Sequence, residues 1–271
     1  MTSIIENQYS TGLSRRSIER ALVEAGKDLD RLTPPDLAPL EDFHTMGRFA
    51  TAQLVEVSGI TGQDRVLDAG SGIGGTARYL VGACGCAVTA VDLTAEYCDT
   101  HRWLNRLVGL DDSISVHQGD VTALPFPDGS FDVVVSQHVQ MNVADKARLY
   151  RQARRVLTDG GRLALWDITI GDHRTLDFPL PWADTPANSH LVTPDGLRAV
   201  VVQSAGFAIE HWNDLSEQAS ALMQAMLAQP ANPLGLHAFV TDFRRKAENL
   251  THALADGRLR AIQAVARTID P

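Results

Sequence analysis

The sequence has little of what marks membrane, secreted or nucleic-acid-binding proteins. No apolar run approaches the roughly 20 residues that a bilayer span requires, and Met1-Thr-Ser-Ile-Ile-Glu lacks the basic-then-apolar order of a signal peptide. Only 24 Lys and Arg stand against 33 Asp and Glu, a net charge of −9. That balance argues against a general binder of nucleic acid or of an anionic membrane. Cysteine is scarce and odd in number: Cys84, Cys86 and Cys98. Cys84-Gly-Cys86 has neither zinc spacing nor a second pair, so reduced, buried thiols in a cytoplasmic protein are expected. There are no internal repeats and no low-complexity segments. What remains, 44% hydrophobic and 21% charged residues over 271 positions, is the composition of a soluble globular chain with ample capacity for a core.

Apolar runs alternate with amphipathic stretches, which predicts an α/β fold with a doubly wound, mostly parallel sheet. Strands are expected near 65–69, 87–92, 113–118, 131–136, 162–168, 207–213 and 259–267, seven in all. The run Asp68-Ala-Gly70-Ser-Gly72-Ile-Gly74-Gly75 links the first strand to a helix-like segment, Thr76–Val81. Glycines at such a turn bring backbone N–H groups against a ligand with no Cβ in the way. Eighteen residues past Gly74, the second strand ends at Asp92, where a carboxylate can accept from both hydroxyls of a ribose. By itself this pattern fits any nucleotide-binding βαβ unit, and Gly70-x-Gly72-x-x-Gly75 also satisfies the dinucleotide fingerprint.

Three further features separate the possibilities. Asp68 precedes the first glycine by two residues, where its carboxylate can face a cationic amino-acid tail but would repel a pyrophosphate. The third strand leads to Asp120, placed to accept from an adenine amino group. The fourth, Ser130–Ser136, runs into the polar pair Gln137-His138, and Arg155–Asp167 adds a helix end, a Gly160-Gly161 turn and a fifth strand. In the order and spacing of these segments, over roughly residues 44–170, the chain resembles the class I S-adenosylmethionine (SAM)-dependent methyltransferases. Its layout is similar to the small-molecule branch that includes the sarcosine/dimethylglycine, tocopherol and quinone methyltransferases.

The resemblance implies a Rossmann-like sheet whose final pair is antiparallel, and SAM as the cofactor. It implies a cofactor set of Asp68, Gly70, Gly72, Gly74, Asp92, Leu93, Asp120, Val121 and Gln137. The pre-core segment Phe43–Thr51 resembles one that touches the methionine part of SAM in related enzymes, which adds His44 and Gly47. Residues 1–43 read as an N-terminal cap over the cofactor, with a helix from Ser14 to Ala25, a Pro34-Pro35 break, and Tyr9 as a residue able to close over the site. Residues 44–271 form the methyltransferase domain, with lid inserts at 171–194 and 216–256. Helices are expected over Asp195–Ser204, Ser216–Leu227 and His237–Leu254.

Methyl transfer from a sulfonium is an in-line displacement in which holding the reactants in line dominates. The expected activity is therefore transfer to N or O of a small-molecule acceptor, with C-methylation of a quinone- or isoprenoid-like acceptor as an alternative. Two other classes stay open: an NAD-dependent oxidoreductase, which would leave Asp120 and the Gly160-Gly161 turn without roles and lacks a Tyr-x-x-x-Lys pair, and a catalytically silent SAM-binding protein. His138 is the candidate base and also a candidate pocket wall. Related enzymes often carry a His three residues before the Asp that opens the next helix; here that position is Asn142, before Asp145. Trp182, His173, His190 and Met223 are the other candidate acceptor contacts, and Trp182 with Trp212 could offer an aromatic wall to a cationic amine. Asp132, Asp167 and Asp172 are too scattered for a metal site, so none is expected. The expected partner is a small molecule, not nucleic acid or membrane, with a homodimer left open.

Overall fold

The computed structural model describes residues 12–41, 43–171, 175–230, 232 and 234–269. Tyr9, His173 and Asp172 lie outside them. Seven strands form one sheet: β1 (Arg65–Ala69), β2 (Ala87–Asp92), β3 (Ile114–Gln118), β4 (Phe131–Gln137), β5 (Leu157–Ile170), β6 (Phe207–Asp214) and β7 (Leu259–Thr268). Their spatial order is β3-β2-β1-β4-β5-β7-β6. β1 to β5 are parallel, and β7 lies between β5 and β6 and runs against both. The chain thus reverses its direction of winding between β1 and β4, and the crevice beyond their carboxyl ends is where an open α/β sheet binds ligands.

Strand side chains alternate between faces, and the core divides accordingly. Val66, Val133, Val135, Ala164 and Trp166 pack on one face against α3 (Arg48–Ser58), α4 (Gly75–Cys84), α8 (Ser216–Leu227) and α9 (Phe243–Ala255). Leu67, Val134, Leu163 and Leu165 pack on the other against α6 (Lys146–Val156) and α7 (Pro194–Ala199). Burial on both faces explains why these strands read as continuous apolar runs. A third cluster joins α1 (Ser14–Glu24) and α2 (Pro34–Glu41) to α5 (Ala95–Leu107), with Ile73 of the glycine loop and Leu234 and Phe239 from the second insert.

Four elements depart from the sequence reading. Pro34 does not break the chain but opens α2, a position where a missing N–H costs nothing and the fixed φ already suits a helix. The segment 237–254 is not one helix: a short 3₁₀ turn at Leu236–Ala238 precedes α9, which starts at Phe243 after Asp242 adopts φ +53°. The helix expected over 195–204 starts at Pro194 and loosens into a π turn over Val200–Ser204. Gly160-Gly161 lies within β5, where Gly160 takes φ +70° and the pairing with β4 slips between Phe131 and Val133.

Candidate active site

The glycine loop leaves β1 with three left-handed residues, Gly70 (φ +85°), Gly72 (φ +53°) and Gly74 (φ +95°). They serve different ends. A Cβ on Gly70 would stand 2.4 Å from Val139, and one on Gly74 would stand 2.1 Å from the His101 ring. At Gly72 nothing lies within 4 Å. Gly70 and Gly74 are therefore demanded by the protein's own packing, and only Gly72 keeps an open approach to the main chain. The expectation that Gly70 bares the backbone to a ligand is corrected on this point, since Val139 already fills that side. Gly70 and Ser71 donate their N–H groups to Val91 O at 2.8 and 3.0 Å, which ties the loop to the end of β2.

Two carboxylates flank the loop. Asp92 accepts from Gly72 N (2.8 Å) through Oδ2 and from Thr94 N (2.9 Å) through Oδ1. Each oxygen keeps a lone pair for a further donor, and burial raises the carboxyl's pKa. Asp68 is buried, and its Oδ2 has no hydrogen-bond partner. Burial, with repulsion from Asp92, pushes Asp68 up to about 7 against the opposing pull of Arg78. A buried carboxylate oxygen with no donor is costly, and a ligand cation with N–H groups would relieve it. Asp120 lies two residues past β3, exposed, with Oδ1 accepting from Thr122 N (2.7 Å) and Thr122 Oγ1 (2.8 Å). Leu93 is half-buried and Val121 buried beside these strand ends.

A polar network closes the other side. Gln137, at the end of β4, donates to Thr76 Oγ1 (2.8 Å) on α4 and to Thr51 Oγ1 (3.2 Å) on α3. Thr51 meets His44 Nε2 at 3.2 Å, and Trp166 donates to Thr45 O at 3.1 Å. His138 takes φ +54°, uncommon for a residue with a Cβ, and is fixed there by its N–H bond to Trp166 O (2.8 Å) and a stacked Trp166 ring. Its Nε2 faces Thr45 N (3.4 Å) and Thr45 Oγ1 (3.1 Å). Because the backbone N–H can only donate, Nε2 is the acceptor and the ring proton sits on Nδ1. Burial, helped by His44, lowers the ring's pKa well below its usual value, so His138 is neutral at pH 7. Gly47, with φ +51°, turns the chain from this segment into α3.

Asp167 is the residue that the sequence reading undervalued. It is fully buried, and its oxygens accept from Val139 N (3.1 Å), Gln140 N (3.0 Å) and Ile168 N (2.9 Å). It thereby holds the loop that follows His138. An Asp directly after the apolar run ending at Trp166 was the available signal, but only the fold shows the amides it collects.

The inserts pack on each other as well as on the sheet. Asn249 donates to Pro179 O (3.0 Å) and Lys246 pairs with Asp184 (2.9 Å), while Arg258, just past the second insert, pairs with Asp177 (2.8 Å). Trp182 is buried in this layer and donates to Ser189 Oγ (2.9 Å). Trp212 packs at the opposite face of the sheet under Arg198, so the two do not form one wall. His190 staples the first insert through its main chain, donating to Met141 O (2.8 Å) and accepting from Lys146 Nζ. Met223 is half-buried on α8. Among the described residues, no group of three His, Cys, Asp or Glu is placed to hold a metal ion.

Residues 67–165, from β1 into β5, match the methyltransferase domain family. That segment holds the glycine loop, Asp92 and most of strands β1 to β5, so this part of the chain is similar to a methyltransferase domain. It is 34% identical over 149 residues to the sarcosine/dimethylglycine N-methyltransferase of Halorhodospira halochloris, covering 54% of this chain and 52% of that protein. To the methyltransferase GfsG of Streptomyces halstedii it is 29% identical over 210 residues, covering 76% and 71%. The chain spans 24% of the glycine/sarcosine/dimethylglycine N-methyltransferase of Actinopolyspora halophila, and about half of the Halorhodospira protein. In fold it is similar to the [4+2]-cyclase SpnF, with a TM-score of 0.70, 18% identity, and coverage of 100% of this chain and 98% of that one.

Proposed function

We propose that the protein transfers a methyl group from SAM to N or O of a small-molecule acceptor. The observation that carries this reading is Asp68 Oδ2, a buried oxygen without a donor, at a glycine loop whose second glycine is open. It suits an α-amino group and would repel a pyrophosphate, which favours SAM over a dinucleotide. In this reading Asp92 accepts from the ribose hydroxyls, Asp120 from the adenine amino group through its other oxygen, and Leu93 and Val121 flank the nucleoside. His44, Gly47 and Gln137 shape the methionine end. SAM supplies an electrophilic methyl on sulfur.

The chain's own task is then positioning. Asp167 fixes the loop after β4, the His138–Thr45 contact joins that loop to the pre-core segment, and the two inserts roof the acceptor space through Trp182, His190 and Met223. His138 is the candidate base for a hydroxyl acceptor, but its lone pair is spent on Thr45, so a base role requires that contact to open. A cytoplasmic location belongs to the same reading, supported by three unpaired cysteines. Calorimetry with SAM, S-adenosylhomocysteine (SAH) and NADH tests it: SAM and SAH should bind and NADH should not. Binding of NADH alone would overturn the assignment.

A further inference from the structure

Arg78 and Glu41 form an ion pair in which both side chains are fully buried, with Arg78 Nε donating to Glu41 Oε1 at 2.7 Å. Arg78 has two more fixed partners. Nη1 donates to Asn105 Oδ1 (2.7 Å) on α5, and Nη2 donates to Ile73 O of the glycine loop. One guanidinium therefore joins the cap, through the last residue of α2, to the loop carbonyl between Gly72 and Gly74. Apolar contacts follow the same path. The Ile73 side chain packs with Leu37 and Leu40 of α2, and the Phe43 ring meets Tyr97 of α5 at 5.7 Å. A second tether lies at the start of the cap, where Glu96 accepts from Gly12 N and Ser14 N, each at 2.7 Å.

From this geometry we infer that Arg78 and Glu41 are positioning residues for cofactor binding: they latch the N-terminal cap to the glycine loop, so cap docking and SAM binding promote each other. The inference rests on the reading of the glycine loop as the SAM site. Its physical basis is the cost of a buried charge that loses its partner. An undocked cap would strip Glu41 from Arg78, and the guanidinium would have to move towards water, releasing Ile73 O and with it the loop that presents Gly72. Arg suits this task because its planar fork serves three acceptors at once, which a lysine ammonium on a flexible stem does not. Coupling between two equilibria is reciprocal, so a ligand that fixes the loop must also hold the cap.

The test measures SAH affinity by calorimetry and trypsin cleavage within the cap, at sites such as Arg20, Lys27 and Arg31, with and without SAH, in the full chain. In the wild type, SAH should slow cap cleavage. Glu41→Ala should weaken SAH at least tenfold and abolish that protection, with unchanged far-UV circular dichroism. Glu41→Gln keeps an acceptor oxygen and should restore most of both effects. Wild-type SAH affinity in Glu41→Ala, or protection that persists in it, would overturn the latch. If Glu41→Ala does not fold, Arg78→Lys takes its place, and wild-type affinity with intact protection there overturns it equally. A wild-type protein that binds no SAH refutes the cofactor assignment itself, whereas one that binds SAH without protecting its cap refutes only the latch.

Discussion

On the cofactor side of the crevice the chain works with main-chain groups at short sequence range. Gly70, Ser71, Gly72 and Thr94 all lie within 25 residues, and their N–H groups go to Val91 O or to Asp92. On the side proposed for the acceptor, side chains meet across long stretches of chain: Asn249 with Pro179, Lys246 with Asp184, Arg258 with Asp177. The first side has fixed geometry and a chemically specific gap at Asp68. The second can change its side chains without disturbing the main-chain hydrogen bonds of the first. A fold that separates its two sites this way can keep one cofactor while its acceptor varies.

The largest effects should come from the glycine loop, and they should divide. Gly74→Val places a branched side chain where His101 stands 2.1 Å from a Cβ, and the variant should lose both folding and binding. Gly70→Ala meets Val139 at 2.4 Å and should melt at lower temperature as well as bind poorly. Gly72→Ala has open space and costs only its left-handed φ, about 1 kcal/mol. It should retain the fold while SAM affinity falls. Equal loss of stability at Gly70 and Gly72, by thermal melting, would break the distinction between packing glycines and the ligand-facing one.

Asp68→Asn should come next and move stability and binding in opposite directions. The folded-state pKa of Asp68 is raised to about 7, above that of the unfolded chain. Between pH 4 and pH 7 the folded protein therefore holds a proton that the unfolded chain has lost, so stability falls as pH rises through that window. The full penalty is present above pH 7. The Asn variant should be more stable than wild type at pH 8, with the difference vanishing near pH 4, and should bind SAM at least tenfold more weakly at pH 8. Wild-type affinity for the cationic cofactor should rise with pH across 6 to 8. A variant less stable than wild type at pH 8 would show that the Asp68 charge is already compensated within the protein.

The same contrast explains what could be read from the sequence. All seven strands are local patterns and the structure forms each of them, β5 starting earlier than expected at Leu157, with the glycine loop and Asp92 at the carboxyl ends of β1 and β2. The order Ser216–Leu227 was legible as a helix for the same reason. The second insert's other helix was not, because the left-handed Asp242 that delays it to Phe243 carries no turn signature. Nor was the separation of Trp182 from Trp212, which depends on which face of the sheet each meets. Asp167, Thr45, Arg78 and Glu41 were illegible as a group: each gains its role from partners 27 to 121 residues away.

On the acceptor side effects should be smaller and confined to the acceptor. Met223 is a cleaner probe than Trp182, whose burial means that Trp182→Ala would cost roughly 3–5 kcal/mol of stability. Met223→Ala should raise acceptor KM severalfold and leave SAH affinity within twofold of wild type, since α8 packs on α9 and β7. A fall in SAH affinity with an unchanged acceptor KM would place α8 over the cofactor and overturn the division between the two sides.

The smallest effect is expected at His138, where the two sides meet. General-base catalysis typically contributes 10²–10⁴-fold, but a base needs a lone pair aimed at the proton it takes. Nε2 instead accepts from Thr45, and burial, with His44 beside it, lowers the ring's pKa, which makes the neutral imidazole a weaker base than a free one. Asn suits the left-handed backbone that His138 occupies, so His138→Asn removes the imidazole without forcing the loop to rearrange. Its kcat should fall less than tenfold, with the pH–rate profile set by the acceptor: for an amine, rate should climb with pH as the neutral fraction grows, in variant and wild type alike. A loss of 10²-fold or more, together with disappearance of an acid limb from the wild-type profile, would mean that the Thr45 contact opens during turnover and that His138 removes the acceptor's proton. Its present hydrogen bonds would then describe a resting state, and Thr45→Val, which leaves only the longer backbone contact on Nε2, should in that case raise kcat.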